Sequence, residues 1–148
     1  MTIPAPPFGR DVIESVIPHR PPFLLVDEIL ELEAGLRVVG RREIRVDDWW
    51  FSGHFPERPV MPGVLTIEAI AQAGAVAVLA AEANAGKIPF FAGIDGCRFK
   101  RVVEPGDVLT LECDFVRVRG PLAKGEGRAL VGDELAVEAT LTVFVGAP

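Results

Sequence analysis

Within the stretch GHFPERPVMPGVLTIEAIAQ, residues 53 to 72, four residues have the types and spacing to move protons at a carbonyl compound. His54 is of a residue type suited to act as general base, although a histidine near a turn also serves as a plain hydrogen-bonding group. Glu68 is a carboxyl in an otherwise apolar run. Burial there raises its pKa while a helix N-terminus opposes the rise, which makes it a candidate acid or a buried carboxylate paired with an arginine. Gln72 follows four residues later, on the same helix face, where its amide can hold the Glu68 carboxyl in one orientation. Gly63, directly after Pro62, offers an unshielded backbone N–H where a helix begins, or else is a turn glycine. A base, an acid and an oxyanion donor at this spacing suit proton abstraction α to a carbonyl.

These residues require a rigid element to carry them. Residues 64 to 85 are dominated by alanine and other helix formers, open after Pro62-Gly63 and close at Asn84 and Gly86, which predicts a helix of about 30 Å. Its polar residues form no continuous face, so other elements must enclose it. Residues 108 to 119 alternate with Leu109, Leu111, Cys113 and Phe115 on one side, then change phase at Val116 and Val118, which predicts a bulged strand. The last strand, from Glu134, sets Leu135, Val137, Ala139, Leu141, Val143 and Val145 on one face, and Gly132-Asp133 is the turn into it from 128–131. Upstream, a short helix from Asp11 stops at Pro18. Residues 23–33 and 36–46 are strand candidates separated by Gly35, with Gly40 a candidate bulge. One long helix followed by antiparallel strands predicts an α+β fold with the sheet curled around the helix.

The chain has 148 residues, 49% hydrophobic and 24% charged, with a formal net charge of -6. That length predicts a single domain over 1–148, and that charge argues against non-specific binding of nucleic acid. Cys97 and Cys113 form no CxxC and have no nearby histidine, so no metal or redox centre is expected and both are read as free thiols. The start, MTIPAPPFGRD, lacks a basic region followed by an apolar run, and residues 69 to 81 are the longest charge-free part of the apolar helix. That run is too short for a bilayer span. A protein of the cytoplasm, with no membrane association, is expected.

GHFPERPVMPGVLTIEAIAQ resembles the signature of the (3R)-hydroxyacyl-[acyl-carrier-protein] dehydratases of type II fatty acid synthesis, the FabZ family. PHRPPFLLVDEILEL (18–32), AGIDGCRFKRVVEPGD (92–107) and KGEGRALVGDELAVEATLTV (124–143) resemble family segments in the same order. The resemblance implies a hot-dog fold, in which an antiparallel sheet wraps a long central helix. It further implies that His54 removes the C2 proton of a 3-hydroxyacyl thioester, that Glu68 protonates the departing 3-hydroxyl, and that the Gly63 N–H binds the thioester oxygen. The product is a trans-2-enoyl thioester, no cofactor is implied, and Gln72 keeps its orienting role. The sister FabA family has Asp where this chain has Glu68, which favours a dehydratase over a bifunctional isomerase. Family members often carry Tyr-Pro-Phe where this chain reads Pro21-Pro22-Phe23, and the chain has no tyrosine to gate a tunnel. Phe90 and Phe91 are read as core residues and His19 as structural.

The resemblance implies acyl carrier protein as partner and a homodimer with shared active sites, assembled further into hexamers. Arg98, Lys100 and Arg101 interrupt the acidic average and are candidate docking residues for that acidic carrier, or a strand edge protected by charge. Two rival functions fit the fold. A hot-dog thioesterase would use a helix-borne carboxylate without needing His54, and a noncatalytic acyl-binding protein would need neither.

Overall fold

The chain's apolar helix is enclosed by its own C-terminal strands. In the computed structural model, which describes residues 2–148, α1 (Arg10–Val16) and α2 (Gly63–Ala80) accompany seven strands. These are β1 (Phe8–Gly9), β2 (Glu28–Glu33), β3 (Arg37–Glu43), β4 (Ile88–Phe99), β5 (Val108–Arg119), β6 (Leu122–Val131) and β7 (Glu134–Gly146). They form one antiparallel sheet in the order β1-β2-β3-β5-β6-β7-β4. The sheet packs along α2, giving the α+β hot-dog architecture. By length and composition alone α2 could cross a membrane, with a mean hydropathy of 1.8, yet 67% of it is buried against the sheet.

Small residues let the sheet approach the helix. A Cβ at Gly127 of β6 would stand 2.5 Å from Ile70 Cγ2, and one at Gly125 would stand 2.8 Å from Cys113 Sγ. Ile70, Leu109, Leu111 and Leu141 are fully or almost fully buried in this seam, each stabilising the fold by about 1.5–3 kcal/mol relative to exposure. Gly40 serves the same end on β3. Its Cβ would meet Ala73 Cβ at 3.5 Å and Glu28 O at 3.4 Å. The bulge expected at Gly40 lies instead at Leu30 of β2, because Gly40 stays in register with both Ile29 and Leu111.

The helix ends five residues before the expected boundary. Ala81 turns to extended backbone, Glu82–Asn84 make a 3-10 turn, and Gly86 is left-handed at φ 77°. Two groups from outside α2 satisfy its last carbonyls: Gly35 N donates to Ala77 O at 2.8 Å, and Asn84 Nδ2 to Val78 O at 3.2 Å. The phase change in β5 is a bulge between Phe115 and Arg117, which leaves Val116 and Val118 exposed. In β7 a second slip, between Ala129 and Leu130 on the β6 side, buries Ala136 in place of Leu135. Residues 23–27 do not join the sheet although Leu24, Leu25 and Val26 are buried. β4, at the sheet's outer edge, carries Phe90, Phe91, Ile94 and Phe99 exposed, so the first two are not the core residues expected.

Candidate active site

His54 sits on a turn held by aromatic packing. Arg42, 3% exposed, pairs with Asp48 at 2.7 Å and lies 5.4 Å from the Trp50 ring centroid. Trp50 packs edge-on against Trp49, and its carbonyl accepts the His54 backbone N–H at 3.0 Å. The ring is oriented by its own hydrogen bond. His54 Nδ1 lies 2.8 Å from Val60 O, and a carbonyl only accepts, so the proton is on Nδ1 and the lone pair on Nε2. Phe55 stacks on this ring at 3.9 Å with φ 51°, a left-handed conformation uncommon outside glycine and here directly before a proline.

Gly63 opens α2 with Pro62 as N-cap and no side-chain capping bond. The first N–H groups of a helix have no intrahelical acceptor, so this end faces the adjoining cavity with unused donors. A Cβ on Gly63 would stand 2.6 Å from Phe99 Cδ1, so a larger residue there would have to displace that exposed ring. His54 and Gly63 line one open cavity of about 510 Å³, together with Thr66, Phe99, Lys100 and Arg101. The candidate base and the candidate oxyanion donor therefore share a space. Thr66 Oγ1 is buried without a partner among the described residues, a polar wall of this cavity that the sequence did not single out.

Glu68 lies elsewhere. It lines a separate recess of about 30 Å³ with His19, Ala71, Ala75, Phe90 and Phe91, and neither His54 nor Gly63 borders it. Burial pushes the Glu68 carboxyl above its ordinary range, against a smaller lowering by the hydrogen bond from Gln72. Gln72 is 1% exposed and fully engaged: its Nε2 donates to Glu68 Oε1 at 3.0 Å and to Phe23 O at 2.8 Å, while its Oε1 accepts from Leu25 N at 2.7 Å. It thus welds the irregular segment 23–25 to the helix and holds the carboxyl. No arginine pairs with Glu68 among the described residues; its titratable neighbour is His19, with Nε2 at 3.6 Å from Oε1.

The basic cluster is interleaved with acids. Arg98 stands opposite Glu138 across the β4–β7 ladder, and Lys100, one residue past β4, reaches the same carboxylate at 3.6 Å. Arg101 is held by Asp107 at 2.8 Å and Glu134 at 3.1 Å. Lys100 and Arg101 border the His54 cavity, while Arg98 does not. Among the described residues no three His, Cys, Asp or Glu side chains converge as metal ligands would. Burial pushes the Cys113 thiol up to about 12, so it is no nucleophile.

The chain falls in the FabA-like class: the model of the FabA-like domain family matches residues 17–140. Proteins named 3-hydroxyacyl-[acyl-carrier-protein] dehydratase FabZ from Bacillus cereus (strain AH187) and Bacillus mycoides (strain KBAB4) are each 55% identical over 134 residues, 90% of this chain and 93% of theirs. The chain belongs to this FabZ family of dehydratases. Solved structures agree in fold: the dehydratase heterocomplex ApeI:P from Xenorhabdus doucetiae superposes with TM-score 0.79 at 17% identity, covering 90% of each chain. An uncharacterized protein from Pyrococcus horikoshii gives TM-score 0.65 at 17% identity over 88% of this chain and 91% of its own.

Proposed function

We propose that this dehydratase, a single domain over 1–148, removes water from (3R)-3-hydroxyacyl thioesters of acyl carrier protein with His54 as base and Glu68 as acid. The observation that carries the reading is the Nδ1 hydrogen bond of His54 to Val60 O, which leaves Nε2 free on a ring that lines the same cavity as the uncapped helix start at Gly63. Nε2 takes the C2 proton while the Gly63 N–H holds the thioester oxygen as charge develops on it. The electron pair of the broken C2–H bond forms the C2–C3 double bond. The C3–O bond breaks, and the leaving oxygen takes the Glu68 proton to depart as water. Burial raises the Glu68 pKa, which favours the protonated form that an acid partner for a poor leaving group requires. No step needs a cofactor.

Glu68 and His54 border different recesses of one chain, which supports a site completed by a second copy. The exposed apolar edge strand β4, whose Phe90 and Phe91 wall the Glu68 recess, is a surface such a copy would cover. We place the protein in the cytoplasm as a homodimer with two shared sites, assembled further as a trimer of dimers. The decisive assay offers a 3-hydroxybutyryl thioester. Enoyl absorbance is the expected result, whereas released thiol would mean a thioesterase, and neither product from folded protein would mean an acyl-binding role.

Carrier-protein docking is assigned to Lys100 and Arg101, which border the His54 cavity, and to Arg98 beside them on β4. Reversal of Arg98 and Lys100 to glutamate is expected to lower kcat/KM about tenfold on carrier-linked substrate and to spare a short pantetheine thioester, because surface charge governs encounter. Equal losses on both substrates would overturn the assignment. Arg101 is left intact in this test, since its reversal also breaks the pairs with Asp107 and Glu134.

A further inference from the structure

His19 follows α1 on an irregular segment and points its Nε2 at Glu68 Oε1, 3.6 Å away. The same oxygen already accepts from Gln72 Nε2 at 3.0 Å. His19 Nδ1 is buried with no partner among the described residues, so nothing else fixes this ring. The neighbouring charges are few. Arg20 adjoins it in sequence and is itself drawn to Glu14 of α1 at 3.5 Å, while β4 and β7 contribute apolar walls at Pro89, Phe90, Phe91 and Val143. Burial, then the Arg20 charge, holds His19 below its ordinary pKa, so the ring is neutral near pH 7 and carries one N–H.

The position of that proton follows from the two possible tautomers. A proton on Nδ1 would orphan a buried donor and set the Nε2 lone pair against the carboxyl lone pairs. A proton on Nε2 points a donor at Oε1. We propose that neutral His19 is a positioning residue for the acid: its Nε2–H, with the Gln72 amide, makes Oε1 the accepting oxygen of Glu68 and so puts the transferable proton on Oε2. At 3.6 Å the contact is longer than a hydrogen bond. It closes when proton transfer leaves a carboxylate, so His19 stabilises the state after proton transfer more than the state before it. This rests on Glu68 being the acid.

The test compares His19→Leu, His19→Gln and His19→Asn, with folding checked by circular dichroism and assembly by size-exclusion chromatography. Gln sets an amide donor where Nε2 was, and Asn only reaches the place of Nδ1. His19→Leu and His19→Asn should lower kcat about tenfold with KM little changed, and His19→Gln should restore most of it. The pH profile adds a sign. Glu68 must be protonated to act, and loss of a donor to its carboxylate raises its pKa further, so the alkaline limb of kcat moves to higher pH in Leu and Asn and returns in Gln. In a Glu68→Gln background, His19→Asn should add no further loss. An unchanged kcat and alkaline limb in folded variants, a tenfold loss without the limb shift, or Gln faring no better than Asn would each overturn the proposal. Retention of rate by Glu68→Gln alone would instead overturn the assignment of the acid. If His19→Leu fails to fold, the comparison of Gln with Asn still decides.

Discussion

Replacing His54 with alanine is expected to lower dehydration of a 3-hydroxyacyl thioester at least ~100-fold, equivalent to ~2.7 kcal/mol of barrier, with the fold retained. The ring lies at the rim of an open cavity, stacked on an exposed Phe55 and bonded to one carbonyl, so its removal leaves no core void. His54→Asn separates orientation from chemistry. Asparagine can keep an amide donor near Val60 O, yet it has no basic nitrogen, and it should be as inactive as alanine. Glu68→Gln should be comparably damaging, because an amide keeps the shape and the contact with Gln72 but has no proton to give. Initial rates followed by enoyl absorbance, with thermal unfolding measured alongside, check all three. Near-normal turnover in His54→Ala, or more than about a tenth of the rate in Glu68→Gln, would remove that residue from the mechanism.

Mixing two dead variants is expected to restore activity. His54→Ala lacks the proposed base and Glu68→Ala the proposed acid, and the two residues border different recesses of one chain. In a hybrid dimer with sites shared between subunits, one site inherits both lesions. The other pairs the intact His54 of one subunit with the intact Glu68 of its partner. Random exchange at equal amounts makes about half the dimers hybrid, each with one good site of two, so about a quarter of wild-type activity should return if sites act independently. Tagged subunits establish that exchange occurred. A mixture that stays inactive after proven exchange would mean that His54 and Glu68 meet within one chain.

What the sequence revealed depended on whether the deciding contact was local. The alanine-rich run of α2 and the phase change at Val116 are properties of neighbouring residues, and both were legible. Gly125 and Gly127 sit in a segment that gives no strand alternation of its own, yet they lie in β6, because Cys113 and Ile70 leave no room for a Cβ. β4 was hidden for a related reason. Two register shifts, near Phe91–Gly93 and Asp95–Arg98, scatter its alternation, and its phenylalanines stay exposed, so hydrophobicity misplaced them in the core. In the site, helical spacing exposed the Glu68–Gln72 pair. His19 reads as an isolated histidine until the fold brings segment 19–25 onto α2 through the bonds that Gln72 makes to Phe23 and Leu25.

The helix that forms the middle of this fold is made before β5, β6 and β7, which supply most of its cover and occupy residues 108 to 146. A ribosome adding about 5–20 residues per second therefore releases α2 several seconds before its cover exists. For that interval the nascent chain presents an 18-residue stretch of mean hydropathy 1.8 with only the β2–β3 pair to receive it. To a targeting factor that reads hydrophobicity, this resembles an insertion signal, and to a chaperone it is a client. The one carboxyl in the stretch, Glu68, then has a use before any substrate arrives, because an ionised side chain in water weakens its likeness to a membrane span. An acid placed for catalysis would in this way also help keep the unfinished protein out of the bilayer.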